Sequence, residues 1–186
     1  MDVIEAIAAR HSYRGPYLPE AVPREDLVRI MEAGLAAPSG CNKQTTYLVA
    51  VDDVQTLARL RATIDPPLKR ENAPAAICVL TRREFAYRDK CFAVQDYSAA
   101  IENMLLVIAA LGYASCWYEG HITDDDRICD KMAEVLGVPE GYDLVCYLPV
   151  GKPDRIVHGV HKHPFEERAW FNSFGGPAVS TSEPTT

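Results

Sequence analysis

Two short segments near the start of the chain carry residue types that bind an anion and a flat polar ring. The first is residues 10–14 (RHSYR), in which Arg10 and Arg14 stand four positions apart with Ser12 between them. On a helix this spacing places both guanidinium groups on one face, where two permanent positive charges can hold a phosphate. Because Ser12 adds a hydroxyl donor, the segment predicts a phosphate site.

The second segment is residues 37–44 (APSGCNKQ), in which Pro38 ends a helix. Ser39 offers a hydroxyl, Gly40 an open backbone, and Asn42 and Gln44 carboxamides that both donate and accept hydrogen bonds. Such groups suit an isoalloxazine ring, which is flat and edged with donors and acceptors. Each segment alone also fits a purely structural role. Arginine is favoured near the end of a helix, and Pro-Ser-Gly is common in loops. Together they predict a site for flavin mononucleotide (FMN).

Length and charge restrict the class of protein. A chain of 186 residues suffices for one domain with a sizeable core, which we expect over residues 1–174. The tail, residues 175–186, is rich in Gly, Pro, Ser and Thr, which predicts a flexible segment. The formal net charge of −7 argues against a nucleic-acid partner, since no cluster of Lys and Arg emerges to balance phosphates.

The N-terminus and the cysteines indicate a reduced, cytoplasmic protein. Residues 1–7 mix acids with apolar residues, unlike a signal peptide, and the longest apolar run, residues 104–112, is too short to span a bilayer. The six cysteines are far apart, at positions 41, 78, 91, 116, 129 and 146. Without a Cys-x-x-Cys motif or zinc spacing, they predict reduced, mostly buried thiols, and we assign neither a metal nor a membrane partner.

Apolar periodicity predicts the elements that position the two segments. Helices are expected from residue 3 to the Gly-Pro at 15–16, from Pro23 to just before Pro38, after Val54, over about 92–111, and from Thr123 through Asp124, Asp125 and Asp126 to Gly137. Buried strands are expected over residues 47–51, 75–80 and 144–150, and a short strand over 115–118. This order predicts an α/β fold, a three-layer α-β-α sandwich. Arg14 would lie at the exit of the first helix.

Other chemistries find less support in the sequence. No G-x-G-x-x-G motif follows a strand and no P-loop motif is present, which disfavours a Rossmann-bound dinucleotide or a P-loop nucleotide. Cys41 has no base paired with it, so an ordinary loop thiol is the better interpretation. His161 and His163 alternate along an extended segment and suit a solvated strand as well as a ligand pair.

The chain resembles the FMN-dependent nitroreductases over nearly its whole length, from Arg10 to about Glu167. Five segments carry the resemblance in order, at residues 10–14, 37–44, 95–112, 117–120 and 149–153. It implies a sandwich of the nitroreductase type, with a central mixed sheet flanked by helices, in a domain-swapped homodimer. It also implies ping-pong transfer of hydride from NADH or NADPH through FMN to a small electron-poor aromatic acceptor, such as a nitroarene or quinone. The cofactor carries this chemistry, so no catalytic side chain is assigned.

The same resemblance assigns the residues that would contact the cofactor. They are Arg10, His11, Ser12, Arg14, Pro38, Ser39, Gly40, Asn42, Tyr118, Glu119, Gly120 and Lys162. Arg10, Ser12 and Arg14 would hold the phosphate and the pyrimidine side of the flavin. Pro38, Ser39 and Asn42 would come from the other subunit. The backbone amides of Glu119 and Gly120 would donate near the reactive nitrogen, although the Glu119 carboxylate could equally be a solvated acid.

Three departures from the family pattern leave alternatives open. Many members have Pro-Trp after the glutamine, where this chain has Thr45 and Thr46. The C-terminal cation of the phosphate site is best matched by Lys162, with His163 as an alternative. The chain is also short for the family. A specialised flavin enzyme that consumes flavin or dehalogenates rings, and a non-catalytic FMN-binding protein, therefore remain alternative interpretations.

Overall fold

A four-stranded sheet forms the centre of the protein in this computed structural model, which describes residues 1–64, 72–121, 127–157 and 160–176. In spatial order its strands are β1 (Thr46–Val51), β2 (Ala75–Thr81), β6 (Asp143–Val150) and β5 (Tyr118–Glu119). Each neighbouring pair is antiparallel. The parallel component of the predicted mixed sheet is a single bridge between Ser12 and Ser115. A separate hairpin joins β3 (Phe85–Tyr87) to β4 (Lys90–Cys91).

Helices cover both faces of this sheet. They are α1 (Val3–Ala9), α2 (Arg24–Leu35), α3 (Val54–Ala62), α4 (Ala93–Ala110) and α5 (Ile128–Leu136), with short 3₁₀ turns at Gly40–Asn42 and Phe165–Glu167. Side chains of α2 and α4 share one core with one face of β2, and those of α3 and α5 share another core with its opposite face. Every residue of β2 is buried. The predicted three-layer α-β-α sandwich is thus confirmed.

The start of the chain departs from the sequence prediction. Helix α1 ends at Ala9, and Arg10 is its C-cap with an extended backbone. The helix therefore stops six residues earlier than the Gly-Pro at 15–16 would place its end. Arg10 and Arg14 do not share a helix face, and Arg14 does not lie at a helix exit. The i, i+4 geometry predicted for this segment is wrong.

Two further predictions need correction. Strand β1 lies at the edge of the sheet, and Tyr47 and Val49 are exposed along it, so it is not a strand buried on both faces. Pro23 is the N-cap of α2 and not its first helical residue.

Helix α5 ends at Gly137, as predicted. The expected cap Thr123 and acidic turn of that helix, and all of the predicted tail except Gly175 and Gly176, lie outside the described residues.

Candidate functional site

The segment from Arg10 to Arg14 is extended, and its side chains alternate between solvent and core. Tyr13 is buried, whereas Ser12 and Arg14 on either side of it are exposed. The backbone N–H of Tyr13 donates to the carbonyl of Ser115 at 2.8 Å, which fixes the segment against the end of the sheet. Because side chains two apart on an extended chain share a face, Arg10, Ser12 and Arg14 are on one side. The three residues of the predicted phosphate site thus follow a period of two, and their binding of a phosphate stays a prediction.

The two arginines differ in how their charge is engaged. Arg10 Nε lies 3.4 Å from Glu102 Oε1 on α4. Arg14 makes no hydrogen bond or ion pair with any residue that the structure describes, and its charge acts instead on the neighbouring thiol of Cys116. A permanent cation without an acidic partner can bind an anion without first breaking an ion pair.

His11 faces inward from this segment. Its Nδ1 lies 3.0 Å from the Ala9 carbonyl, while its Nε2 is buried without a hydrogen bond among the described residues. The Ser115 hydroxyl is buried in the same way. Both residues line a small cavity of about 40 Å³ against α4. The structure thus separates the His11 ring from the exposed Ser12 and Arg14 side chains.

The thiol next to this segment is not an activated one. Burial raises the pKa of Cys116, although the Arg14 charge and a hydrogen bond from Ser12 act in the opposite direction. Burial also raises the pKa of Cys129, and that of Cys78 to about 12. Four of the six cysteines are buried and none of the six is in a disulfide, so the prediction of mostly buried thiols is confirmed. These thiols are neutral and supply no nucleophile at ordinary pH.

The segment at residues 38–45 forms a strained loop between α2 and β1. Three of its residues have left-handed backbone conformations, with φ of 51° at Cys41, 55° at Asn42 and 51° at Gln44. The Ser39 hydroxyl accepts a hydrogen bond from the Gln44 amide at 3.0 Å. Left-handed conformations are unfavourable for residues other than glycine, and they concentrate at functional sites. The loop also borders a cavity of about 270 Å³.

Sequence reasoning missed one residue of this loop's surroundings. Asp96, in the first turn of α4, accepts a hydrogen bond from the Gly40 amide at 2.8 Å and another from the Thr45 hydroxyl at 2.7 Å. Thr45 is one of the two positions at which the chain departs from the family pattern, and it is buried here. The available signal was the place of Asp96 in the 95–112 segment on which the resemblance rests, but that signal does not identify the partners of the carboxylate.

The strand end at residues 117–120 brings Glu119 and Gly120 beside a third cavity, of about 460 Å³. The Glu119 carboxylate accepts from Trp117 Nε1 at 3.2 Å. The Gly120 amide donates to the Val145 carbonyl and to Glu119 Oε1, both at 3.2 Å. The predicted use of this amide as a cofactor donor therefore needs correction, because the N–H is already engaged within the chain. Tyr118 is half-buried against the ring of Tyr147.

The C-terminal cation remains a choice between two residues. Lys162 is exposed and makes no hydrogen bond or ion pair with the described part of the chain. His163 Nδ1 lies 3.1 Å from Glu167 Oε2. Of the two, Lys162 has the charge available for an anion. No group of three or more potential metal ligands occurs among the described residues, and no described helix is long and apolar enough to cross a bilayer.

One chain keeps these groups apart. Arg10 contacts α4 at Glu102, whereas the 38–45 loop contacts it at Asp96. These two positions are six residues apart, or about 9 Å along the helix axis. The cavity beside Arg10 and the cavity beside Ser39 share no lining residue.

Comparisons with known proteins identify relatives of this chain and of its fold. A curated protein of Archaeoglobus fulgidus, described as "Putative NADH dehydrogenase/NAD(P)H nitroreductase", is 30% identical over 152 residues, which cover 82% of this chain and 86% of that protein. The structure of an FMN-dependent nitroreductase from Clostridium difficile is 27% identical, with a TM-score of 0.77 over 92% of this chain and 99% of that one. A nitroreductase with bound FMN from Bacteroides fragilis is 28% identical, with a TM-score of 0.68 over 88% and 95% of the two chains.

The sequence profile of the Nitroreductase family matches residues 7–77 and 68–152, which include most of the segments on which the resemblance rests. Residues 10–14, residues 37–44 and the strand end at residues 117–120 all lie inside this match. The extended 10–14 segment, the strained 38–45 loop and the α-β-α sandwich that holds them are therefore parts of a chain that belongs to the Nitroreductase family.

Proposed function

We propose that this protein is an FMN-dependent oxidoreductase that takes hydride from NADH or NADPH and reduces electron-poor acceptors such as nitroaromatics and quinones. The observation that carries the proposal is the common face of Arg10, Ser12 and Arg14, which ends in a guanidinium with no acidic partner among the described residues. The FMN named for the Clostridium difficile and Bacteroides fragilis relatives and the NAD(P)H named for the Archaeoglobus fulgidus relative support it.

The residues present fit a flavin mononucleotide at its anionic end. Ser12 and Arg14 are exposed, and together with Arg10 they offer one hydroxyl and two guanidinium groups. Guanidinium groups can form paired hydrogen bonds to phosphate oxygens. Lys162 is the further cation that we assign to this end. Where the same residues reach the pyrimidine side of the flavin, their positive charge would also favour the anionic reduced form of the ring.

The residues also fit the polar edge of the ring. Pro38, Ser39, Gly40 and Asn42 lie on or beside the strained loop, where Asn42 is exposed with its carboxamide available. Tyr118 and the Glu119 backbone would line the ring near its reactive nitrogen. When bound, FMN supplies the redox chemistry, since it can accept a hydride from a nicotinamide and reduce a second substrate in the same place. The protein's residues hold and orient the reactants, so no catalytic side chain is assigned.

A second copy of the chain would complete this site. Helix α1 leaves Val3, Ile4 and Ile7 at 62%, 69% and 52% exposure, and Ala6 is its one buried residue. An apolar stripe of this kind is unfavourable in water and marks a surface for a partner. We propose a homodimer in which the 38–45 loop of one subunit meets the 10–14 segment of the other.

The test is a pair of arginine substitutions. Arg10→Ala with Arg14→Ala should weaken FMN binding by about 100-fold or more, because charge-assisted hydrogen bonds contribute about 1.5–3 kcal/mol each. The purified variant should be colourless, whereas the wild type shows a flavin absorption band. Arg59→Ala with Lys131→Ala removes two exposed charges from α3 and α5 on the far side of the sheet, and this control should stay yellow. If the Arg10→Ala, Arg14→Ala variant were purified yellow, with one FMN bound per site, the assignment of these arginines to the phosphate would be contradicted.

The reaction itself is followed on the wild type without oxygen. Adding NADH or NADPH should bleach the flavin band, and a nitroarene or quinone added afterwards should restore it. Bleaching by neither nucleotide would favour non-catalytic flavin binding. Loss of the flavin itself during aerobic turnover would favour a flavin-consuming enzyme.

A further inference from the structure

Asp96 is a buried carboxylate to which the proposed function assigns no role. Its exposure is 4%, and it forms no ion pair with a described residue. Removing a charged group from water is costly unless hydrogen bonds replace the lost solvation. Here Asp96 accepts two hydrogen bonds, and its place in the first turn of α4 adds the favourable field of a helix N-terminus. An apolar residue would meet the needs of packing alone, so the carboxylate calls for another explanation.

Both carboxylate oxygens are used by one loop. Oδ1 accepts from the Gly40 backbone N–H at 2.8 Å, and Oδ2 accepts from the Thr45 hydroxyl at 2.7 Å. Gly40 and Thr45 flank the three left-handed residues Cys41, Asn42 and Gln44. A single side chain therefore ties together the two ends of the strained segment.

Other contacts hold the two ends, and the middle is held by hydrogen bonds within the loop, from the Asn42 amide to the Ser39 carbonyl and from the Gln44 amide to the Ser39 hydroxyl, both at 3.0 Å. The Thr45 carbonyl accepts from the Arg82 amide at 3.0 Å and from the Thr81 hydroxyl at 3.1 Å. At the other end a Cβ on Gly40 would lie 2.5 Å from the ring of Phe92, so the backbone there is pressed against α4. The side chains between the two ends are exposed, so the left-handed conformations do not serve to bury them.

We propose that Asp96 is a positioning residue for the cofactor. By joining Gly40 to Thr45 it holds the intervening backbone in its strained shape, which displays Ser39 and Asn42 toward the flavin. This inference rests on the proposed function, because it takes the 38–45 loop to be part of the FMN site. In this role Asp96 acts through the loop. Without its two hydrogen bonds the loop would relax to ordinary backbone conformations and lose this display.

The first test is Asp96→Asn, which keeps the size of the side chain but replaces one acceptor oxygen with a donor. One of the two donors is then left without an acceptor. FMN affinity should fall by about tenfold or more, as expected when a buried donor loses its acceptor. Amide hydrogen exchange of the 39–45 segment, Gly40 above all, should accelerate by a similar factor. This second readout requires no enzyme activity.

A control separates positioning from general loss of stability. Asp53 caps α3 through the Thr56 amide, on the face of the sheet opposite to α4. Asp53→Ala should lower the stability of the protein and leave both FMN affinity and exchange of the 39–45 segment unchanged. If this control weakened FMN binding as much as Asp96→Asn does, the positioning role would be overturned.

A second pair of variants keeps the proposal testable if Asp96→Asn does not fold. Thr45→Val preserves the shape of the side chain and removes the hydroxyl, so it should weaken FMN binding and accelerate exchange in the same direction. Thr45→Ser restores a hydroxyl and should recover both properties. Equal FMN affinity in the Val and Ser variants, or unchanged exchange in the Val variant, would overturn the inference.

The outcomes also distinguish this inference from the proposed function. A wild-type protein that binds no FMN would refute the function and the positioning role together. A wild type that binds FMN, with Asp96→Asn binding it equally well, would refute the positioning role alone.

Discussion

Gly120 lets helix α5 pack closely against the end of strand β5, because it has no Cβ. A Cβ at this position would lie 1.6 Å from Cys129 Sγ and 2.4 Å from Cys129 Cβ. The Cys129 amide also donates to the Gly120 carbonyl at 3.0 Å. Only a glycine permits α5 to pack this closely against the strand end that carries Glu119.

Gly120→Ala should therefore destabilise the protein by about 1–3 kcal/mol, the usual cost of overpacking a core. Urea unfolding should show a lower midpoint at an unchanged slope. Adding Cys129→Ala should recover part of the loss, because the sulfur is removed while the Cβ remains in close contact. If the single variant unfolds at the same urea concentration as wild type, the close packing described here is wrong.

Helix α5 ends through a left-handed residue, as its sequence predicts. Gly137 has φ of 65° and ψ of 37°, and the Val138 amide donates to the Ala133 carbonyl at 2.9 Å. This hydrogen bond satisfies one of the carbonyl groups left open in the last turn of a helix. Apart from Gly137 and its two chain neighbours, no described residue has an atom within 4 Å of the position of a Cβ on Gly137, so the backbone conformation alone favours glycine there.

Gly137→Ala should cost about 1–2 kcal/mol of stability, the strain of a left-handed conformation in a residue with a Cβ. Gly137→Asn is the matched variant, and it should cost less because asparagine tolerates this conformation better. Thermal unfolding of the three proteins measures both values. Equal stability of the alanine variant and wild type would mean that the last turn of α5 has rearranged.

At the scale of the whole molecule, α1 presents its apolar side to solvent. Its capping box, formed by Asp2 and Glu5, is intact, and its contacts within the chain are mainly with α4. The helix therefore begins as its sequence predicts, but within one chain its main apolar stripe does not reach the core. A homodimer would bury this stripe, and could bring together two segments that, within one chain, contact α4 at positions about 9 Å apart along its axis.

Ile4→Glu with Ile7→Glu should weaken that dimer by about 100-fold or more, because burying an isoleucine contributes about 1.5–3 kcal/mol. Sedimentation velocity at micromolar concentration should show a monomer that has also lost its flavin. Val54→Glu places one such charge on an exposed residue of α3 and should leave the dimer intact. A variant that remains dimeric would exclude α1 from the interface.

The amino-acid sequence by itself determined the features that depend on residues close together in the chain, namely the bounds of several regular elements and the motifs of the family. The apolar periodicity placed α4 and β2 to within one or two residues, because burial of a continuous stripe follows from the spacing of its side chains. Gly137 marked the end of α5 since its conformation is a local property of glycine. The order of the five segments identified the family, which the profile match confirms.

Only the tertiary structure decided which distant residues meet. Asp96 and Thr45 are 51 positions apart, and no local pattern pairs them. The chain from Arg10 to Arg14 is extended because Tyr13 is held by Ser115, a partner that helical spacing does not reveal. The apolar periodicity of the sequence predicts whether a side chain is buried. Which residue it packs against depends on how all the elements pack together.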